Sequence, residues 1–507
     1  MSDLKIGIDL GTTYSCIAVI DPATGLPTIV KNFEEEDSTP SVVLYDTDND
    51  EIVVGKDAKA NAAIYPKTCF DSIKRHMGEA GYRIYVGDKE LYPQDISAEI
   101  LKKIIRDFKQ FYPDYDMGSV TITCPAYFDE NQKKATRQAG EIAGFKNINI
   151  VEEPIAAALS YGAKNDRNQT VFVYDLGGGT FDITIIKIEN GNYSVFCTGG
   201  DSALGGKDWD KELEEHIIEK IVEAEPSLDE GEVRSGENYP GIVSKVEDIK
   251  KQLSTRSSVK SYFTVGASNV AVEVTREEFE SWTEALLDKT RGYIDTLLAE
   301  KNLTFADIDK FLLVGGSTKM PQVPAMLNQY YPELAGKIES HDPNLAVAKG
   351  AALYEQMVSD VKGAGIRKFT RVMPHTYGII AYDDAVEKDM VCNIVFRNEQ
   401  LPLEGEREFS PSFDGQTQAR IQVCKNDALE ADGDQEVSLC PKIGEFIFNL
   451  APDSKRHEQI IVKIRGNERA ELEAECLYRG VSKVYSLNFT GDQIMSDEEV
   501  QRKRLGD

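Results

Sequence analysis

Residues 6–20, IGIDLGTTYSCIAVI, and residues 171–188, VFVYDLGGGTFDITIIKI, repeat one order of parts: an apolar strand, an Asp, a Gly-rich turn with Thr, and a second strand. A strand ending in Asp puts a carboxylate at the mouth of a sheet, and glycines in the turn let backbone N–H groups approach a polyphosphate unobstructed. Thr12, Thr13 and Thr180 add hydroxyl groups. Either hairpin alone reads best as an ordinary tight turn between strands. Two copies with the same order point instead to a duplicated phosphate clamp, with Asp9, Asp175 and Asp182 holding a hydrated Mg²⁺ or a monovalent cation between facing turns. That geometry suits ATP. The chain carries neither GxxxxGK[ST] nor GxGxxG, which excludes a P-loop and a Rossmann fingerprint.

Around these hairpins, up to about residue 362, strand-like apolar runs alternate with amphipathic stretches, the pattern of an α/β architecture. Ile96, Ile100, Ile104, Ile105 and Phe108 recur at helical spacing after Asp95, a fitting cap, and Leu213, Ile217, Ile218 and Ile221 do the same. Residues 311–327, FLLVGGSTKMPQVPAML, read as a strand, a turn at Gly315 and Gly316, and a helix. Close backbone approach there suits a flat purine or its ribose, although a strand-to-helix turn also needs glycine for packing. Residues 243–256, VSKVEDIKKQLSTR, place Glu247, Lys250, Lys251 and Ser254 on one helix face and Val243, Val246, Ile249 and Leu253 on the buried side. By itself the polar face reads as solvated, with Glu-to-Lys pairing.

The pattern breaks at residues 361–374, VKGAGIRKFTRVMP, where two glycines, a basic cluster and a proline mark a linker, set at 363–372. Beyond it apolar residues alternate with period two: Ala419, Ile421 and Val423; Phe446, Phe448 and Leu450; Leu472, Ala474, Cys476 and Tyr478; Tyr485, Leu487 and Phe489. Half-buried strands separated by turn-rich stretches predict an antiparallel β-sandwich over 373–495, followed by a short tail at 496–507.

Bulk properties agree with two such domains. A chain of 507 residues exceeds what one core supports, and 41% hydrophobic content fills more than one. A formal charge of −29 argues against binding a nucleic-acid backbone. MSDLKIGIDL has no signal-peptide pattern and no apolar run reaches the roughly 20 residues of a membrane span, so a soluble cytoplasmic protein without membrane contact is expected. The eight cysteines stand singly, without CxxC spacing, and read as reduced, mostly buried thiols; four disulfides are the less economical alternative.

IGIDLGTTYS, CPAYFDENQKKATRQAG, EEPIAAALSYG, VYDLGGGTFD, GGDSALGGKDWD and LLVGGSTKMP, in that order, resemble the motifs of the seventy-kilodalton heat-shock chaperones, called DnaK in bacteria. The resemblance spans nearly the whole chain. It implies an actin-like ATPase domain, a duplicated ribonuclease-H-like fold of two lobes closing on MgATP or its ADP product, with K⁺ as a further cation. Gly11 to Tyr14 and Gly177, Gly178, Gly179 and Thr180 would bind the phosphates, and Lys74 in DSIKRHMG would reach the γ-phosphate. Glu153 and Asp175 would position the attacking water, with Thr180 beside them, and Asp9 and Asp182 would share the cations. Glu247, Lys250, Lys251 and Ser254 would hold ribose and adenine, with Gly315, Gly316, Ser317 and Lys319 as the opposite wall. Pro125 resembles the proline that relays nucleotide state toward the linker.

Lys251 and Lys319 stand where the family usually has arginines beside the adenine, and Lys133 replaces an arginine of interdomain signalling. The linker, IRKFTRVMP, lacks the family's acidic and leucine-rich character. The second domain resembles the family's peptide-binding sandwich, which implies a cleft for an extended apolar peptide lined by Ile379, Ala381, Phe409, Ala419 and Ile421; the competing reading makes these residues core. The chain stops where the family's helical lid would begin, which implies faster peptide exchange. J-domain co-chaperones and nucleotide exchange factors are the partners the resemblance suggests. Two rival functions remain, a small-molecule kinase on the same fold and a nucleotide-gated peptide adaptor with little hydrolysis.

Overall fold

The computed structural model describes residues 4–505 apart from 63, 80, 163–167, 237, 267, 341–342, 360–368, 427–432, 469 and 488–494. The duplication read from the two hairpins extends to whole sheets. In the first sheet Asn147–Glu152 runs parallel to Ser119–Cys124, which runs parallel to Ile6–Asp9; this pairs antiparallel with Tyr14–Ile20, and that with Pro27–Val30. The second sheet repeats the order: Ile338–Ser340, Lys310–Val314 and Gln169–Leu176 in parallel, then Phe181–Glu189 and Asn192–Asp201 antiparallel. Each sheet has its hairpin inside it, and the two strands of the second hairpin, Gln169–Leu176 and Phe181–Glu189, are buried on both faces along most of their length, as expected for central strands of a sheet covered by helices. The expected α/β fold is therefore present twice.

Helices cover the sheets as the periodicity predicts. Pro93–Phe111 buries Ile96, Ile100, Ile104, Ile105 and Phe108, and Gly206–Ala224 buries Leu213, Ile217, Ile218 and Ile221. Two local expectations need correction. Asp95 is the third residue of its helix, not the residue before it: Pro93, with its fixed φ and no N–H to satisfy, starts the helix, and Asp95 accepts from the Tyr92 N–H at 2.8 Å. Val243 is exposed, because only Val246, Ile249 and Leu253 of Tyr239–Leu253 face the core, with Ile242 beside them.

The helix Ala346–Ser359 crosses between the lobes, packed on both Glu153–Gly162 and the strand Ile6–Asp9. This close crossing depends on glycine. A Cβ on Gly350 would stand 1.7 Å from the Ala156 carbonyl oxygen, and one on Gly7 would stand 2.1 Å from the Ala352 nitrogen. Backbone cannot rotate aside, so Gly350→Ala is expected to lower stability by roughly 2 kcal/mol in urea unfolding. A parent-like midpoint would show that the two helices can part without cost.

The described residues between 376 and 486 form two packed antiparallel sheets, one of five strands and one of four. Ala419, Ile421, Val423, Phe448, Leu472, Ala474, Cys476 and Tyr478 point inward, as their alternation predicts, with Leu487 also in this core. Tyr485 stacks on Phe446 and donates to the Ile447 carbonyl at 2.8 Å, tying the two sheets together at one edge. Of the linker set at 363–372, residues 363–368 lie outside the described residues, as does Phe489. All eight cysteines are unbridged, seven of them buried. No helix among the described residues is long and apolar enough to cross a membrane. At the C-terminal end the sequence reads as one short helical start and a frayed tail; the helix is there and runs Asp497–Leu505, with its Val500, and Met495 just before the helix, buried against Ala98 and Ile142.

Candidate functional site

The two Gly-rich turns meet. A Cβ on Gly178 would lie 1.8 Å from Thr13 Oγ1, and one on Gly179 would lie 2.4 Å from Thr12 Cγ2. Each turn is braced from behind: Ser41 Oγ donates to the Gly11 carbonyl at 2.8 Å, and Ser317 Oγ donates to that of Gly177 at 2.8 Å. Arg75 of the first lobe reaches across, donating from Nε to the Gly179 carbonyl at 2.9 Å and from Nη2 to Asp208 at 2.8 Å. Lys207 pairs with Asp71 at 2.6 Å beside it.

Between the turns opens a cavity of about 590 Å³, large enough for a nucleotide. Asp9, Gly11, Thr12, Thr13 and Tyr14 line it from the first lobe, and Asp175, Gly177, Gly178 and Thr180 from the second. Lys74 and Glu153 line it as well. One further wall is Glu247, Lys250, Lys251 and Ser254, and another is Gly315, Gly316, Ser317 and Lys319. Two predicted residues stand behind the surface. Gly179 turns its carbonyl to Arg75, and Asp182 is buried with Oδ1 accepting from the Ala126 N–H at 3.1 Å. The five residues expected to bind peptide are elsewhere, in the sandwich. Ile379, Ala419 and Ile421 belong to its core with Phe409 packed against it, while Ala381 is half-buried.

The floor of the cavity is a buried charge cluster. Lys74 Nζ pairs with Glu153 Oε1, both nearly inaccessible. Thr123 Oγ1 donates to Asp9 Oδ1 at 3.1 Å. Asp175 and Asp182 sit directly opposite each other across the second hairpin, like charges at a cross-strand pair. Burial, then the nearby Glu153 carboxylate, pushes Asp9 up to about 7 against the pull of Lys74. The same two causes raise Asp175 and Asp182 well above the ordinary carboxylate range. Burial works against the Lys74 ammonium, but Glu153 and Asp9 outweigh it and keep the lysine charged. Four carboxylates thus share one buried lysine, an arrangement that calls for added positive charge.

The residues fit a metal-bound polyphosphate. Asp182 Oδ2 and Thr13 Oγ1 are buried without a hydrogen-bond partner among the protein's groups, and the glycines leave a cradle that any side chain would fill. Among the described residues no group of three acidic, His or Cys side chains is placed to hold a metal ion.

At the outer rim the lobes are latched. Lys59 pairs with Glu247 across the cleft, and Lys251 pairs with the same carboxylate at 2.7 Å. Both lysines donate to Tyr14 Oη at 3.0 Å. Burial raises the Glu247 carboxyl, but Lys59 and Lys251 overcome it and hold the group down at about 2. Glu247 is therefore paired, as its helix face suggested, and also lines the cavity. Sequence reasoning missed Lys59, Arg75 and Lys207. A lysine on a six-residue helix, Lys56–Asn61, carries no pattern that marks it, whereas Arg75 stood in the DSIKRHMG segment, adjacent to Lys74. Lys59→Ala is expected to speed release of a fluorescent nucleotide roughly fivefold, the kinetic equivalent of one half-exposed ion pair. An unchanged off-rate would show that the rim does not gate the cavity.

A model of the Hsp70 protein family matches residues 5–86 and 79–505. The chain is similar to proteins named "Chaperone protein DnaK" from two strains of Halobacterium salinarum, each 36% identical over 507 residues, covering 98% of this chain and 77% of the relative. It is also similar to that of Thermotoga neapolitana, 34% identical over 511 residues, covering 99% and 82%.

Proposed function

The chain belongs to the Hsp70 family, and from that premise we propose how its residues divide the work of an ATP-dependent molecular chaperone. It is an ATPase of the Hsp70 type, acting on unfolded polypeptides. The observation that carries the residue assignment is the meeting of two Gly-Thr turns over one cavity, with Lys74 and Glu153 paired on its floor.

In this reading Gly11 to Tyr14 and Gly177 to Thr180 hold the phosphates through backbone N–H groups and hydroxyls. Lys74 meets the charge that develops on the γ-phosphoryl oxygens. Glu153 and Asp175 orient the attacking water, and Asp9 and Asp182 orient the waters of the cations. Glu247, Lys250, Lys251 and Ser254 face Gly315, Gly316, Ser317 and Lys319 across the nucleoside. Bound Mg²⁺, with K⁺ as a second ion, would neutralise phosphate charge during transfer.

Residues 1–362 form the ATPase unit in this reading, 363–372 the linker, 373–495 the peptide-binding unit and 496–507 the tail. Phe409 and Ala381, the less buried of the five sandwich residues, offer contacts to an extended peptide, with Ile379, Ala419 and Ile421 shaping the cleft from beneath. J-domain and exchange-factor partners and a cytoplasmic setting complete the proposal. The test is ATPase turnover with and without an unfolded peptide, alongside peptide affinity in ADP and in ATP. Stimulated turnover and tighter binding in ADP are expected; equal affinity in the two nucleotides would remove the switch, since allostery requires that difference.

A further inference from the structure

Lysines line the nucleotide cavity on several sides, and they differ in what holds them. Lys74 is buried against Glu153, and Lys250 is buried against Asp210 at 2.7 Å and the Gly206 carbonyl at 2.7 Å. Lys207 reaches instead across the cleft to Asp71 of the first lobe, at 2.6 Å, through side chains that are 30% and 54% exposed. Its root is fixed. The Lys207 N–H donates to the Gly178 carbonyl at 2.8 Å, and that of Gly206 to the Gly177 carbonyl at 2.9 Å, so the helix Gly206–Ala224 begins on the second Gly-rich turn. The backbone is pinned, whereas the ammonium rests on a half-exposed carboxylate.

Lys207 also stands where the protein leaves a hydroxyl unsatisfied. Thr13 Oγ1 is buried without a hydrogen-bond partner among the protein's groups, and it lies against Gly178, the residue that anchors the Lys207 backbone. An ion pair open to water contributes little, so Asp71 holds Lys207 weakly. A phosphate dianion beside Gly178 carries about twice the charge of that carboxylate and would draw the ammonium away from it. Arg75 has no such freedom. Its guanidinium is divided between the Gly179 carbonyl and Asp208, and Asp208 is itself fixed by the Gly205 N–H at 2.7 Å. Arg75 therefore braces the lobes, and Lys207 is the movable charge beside it.

We propose that Lys207 retains the phosphate that hydrolysis frees: its ammonium leaves Asp71 for the phosphate oxygens, and Asp71 takes it back as the phosphate departs. Asp71 is then a competitor for the lysine and sets how long the phosphate stays. No covalent bond is made or broken in this exchange. The inference rests on the reading of the two Gly-Thr turns as a phosphate clamp, and adds to it the pair of side chains that times release of the product.

The experiment loads the full chain with MgADP and labelled inorganic phosphate and measures the affinity and off-rate of the phosphate, with a single turnover of MgATP followed on the same samples. Lys207→Gln is expected to release phosphate about fivefold faster and to bind it correspondingly more weakly, the loss of one charge-assisted contact. Asp71→Asn is expected to move both readings the other way, with release slowed roughly threefold, because the lysine loses its competitor. A pair that merely ties the lobes together is broken by either substitution, so faster release in both variants overturns the proposal, as does a parent-like off-rate in Lys207→Gln. Should Lys207→Gln fail to fold, Asp71→Asn decides alone: release as fast as the parent's, or faster, counts against retention by Lys207. A parent chain that hydrolyses MgATP yet retains no labelled phosphate overturns this proposal by itself, whereas one that hydrolyses none refutes the phosphate clamp as well.

Discussion

Lys74→Ala is expected to lower the single-turnover rate of ATP hydrolysis about 100-fold, close to 2.7 kcal/mol of transition-state stabilisation. Lys74 is the one lysine within a cluster of Asp9, Glu153, Asp175 and Asp182, and its ammonium is held charged by the first two. In phosphoryl transfer the protein contributes mainly positioning and charge stabilisation, so a preorganised buried cation there is worth far more than one in water. The truncation has a second consequence. Asp9 loses the cation that holds its raised carboxyl in check, and would be protonated more at neutral pH in the nucleotide-free chain. Breaking the buried pair with Glu153 should also cost stability, about 3 kcal/mol or more without nucleotide. The rate must therefore be read on folded, ATP-saturated protein, where added MgATP offsets that loss by mass action. Turnover within twofold of the parent would take Lys74 out of the chemistry.

The two hairpins were legible because their signal is local. Apolar residues at strand spacing, an Asp at the strand end and glycines in the turn follow each other within fifteen to eighteen positions, and the sheets preserve that order. The sandwich was legible for a similar reason, since Leu472, Ala474, Cys476 and Tyr478 declare their inward face by period two. What alternation cannot tell is whether an inward residue fills the core or lines a cleft; Ile379, Ala419 and Ile421 went to the core on burial alone. Cross-cleft contacts were illegible altogether. Lys59 meets Glu247 over 188 residues of sequence and Arg75 meets Asp208 over 133, distances set by how the lobes close rather than by any nearby pattern. Arg371 belongs with them. In the sequence it is one of a basic cluster marking a linker, and only its burial on Glu152 gives it a partner. Asp182 stands between the two cases: its hairpin was visible, but that one oxygen would face the Ala126 N–H beside Pro125 was not.

Gly178→Val is expected to weaken ATP binding at least 100-fold, about 2.7 kcal/mol, with little change in the melting midpoint of the nucleotide-free chain. Gly178 sits at a half-exposed turn tip, so the fold around it loses no packing. Its added side chain has nowhere to go. Thr13 Oγ1 would lie 1.8 Å from the new Cβ and Thr13 Cβ 2.8 Å, so rotating the hydroxyl relieves only the first contact, and valine's two methyls then fill the space between the turns. Pushing the turns apart withdraws backbone N–H groups from the polyphosphate, and each such group lost costs a charge-assisted hydrogen bond. Gly292→Ala is the matching control: it lies within the helix Glu284–Glu300 with no atom within 4 Å of the new Cβ, so it should leave affinity unchanged and add a few tenths of a kcal/mol of stability or more. If Gly178→Val bound ATP as tightly as Gly292→Ala, the phosphates would have to lie away from the point where the turns meet. Lys74, Glu153 and Asp9 would then face an empty floor, and their shared burial would need another cause.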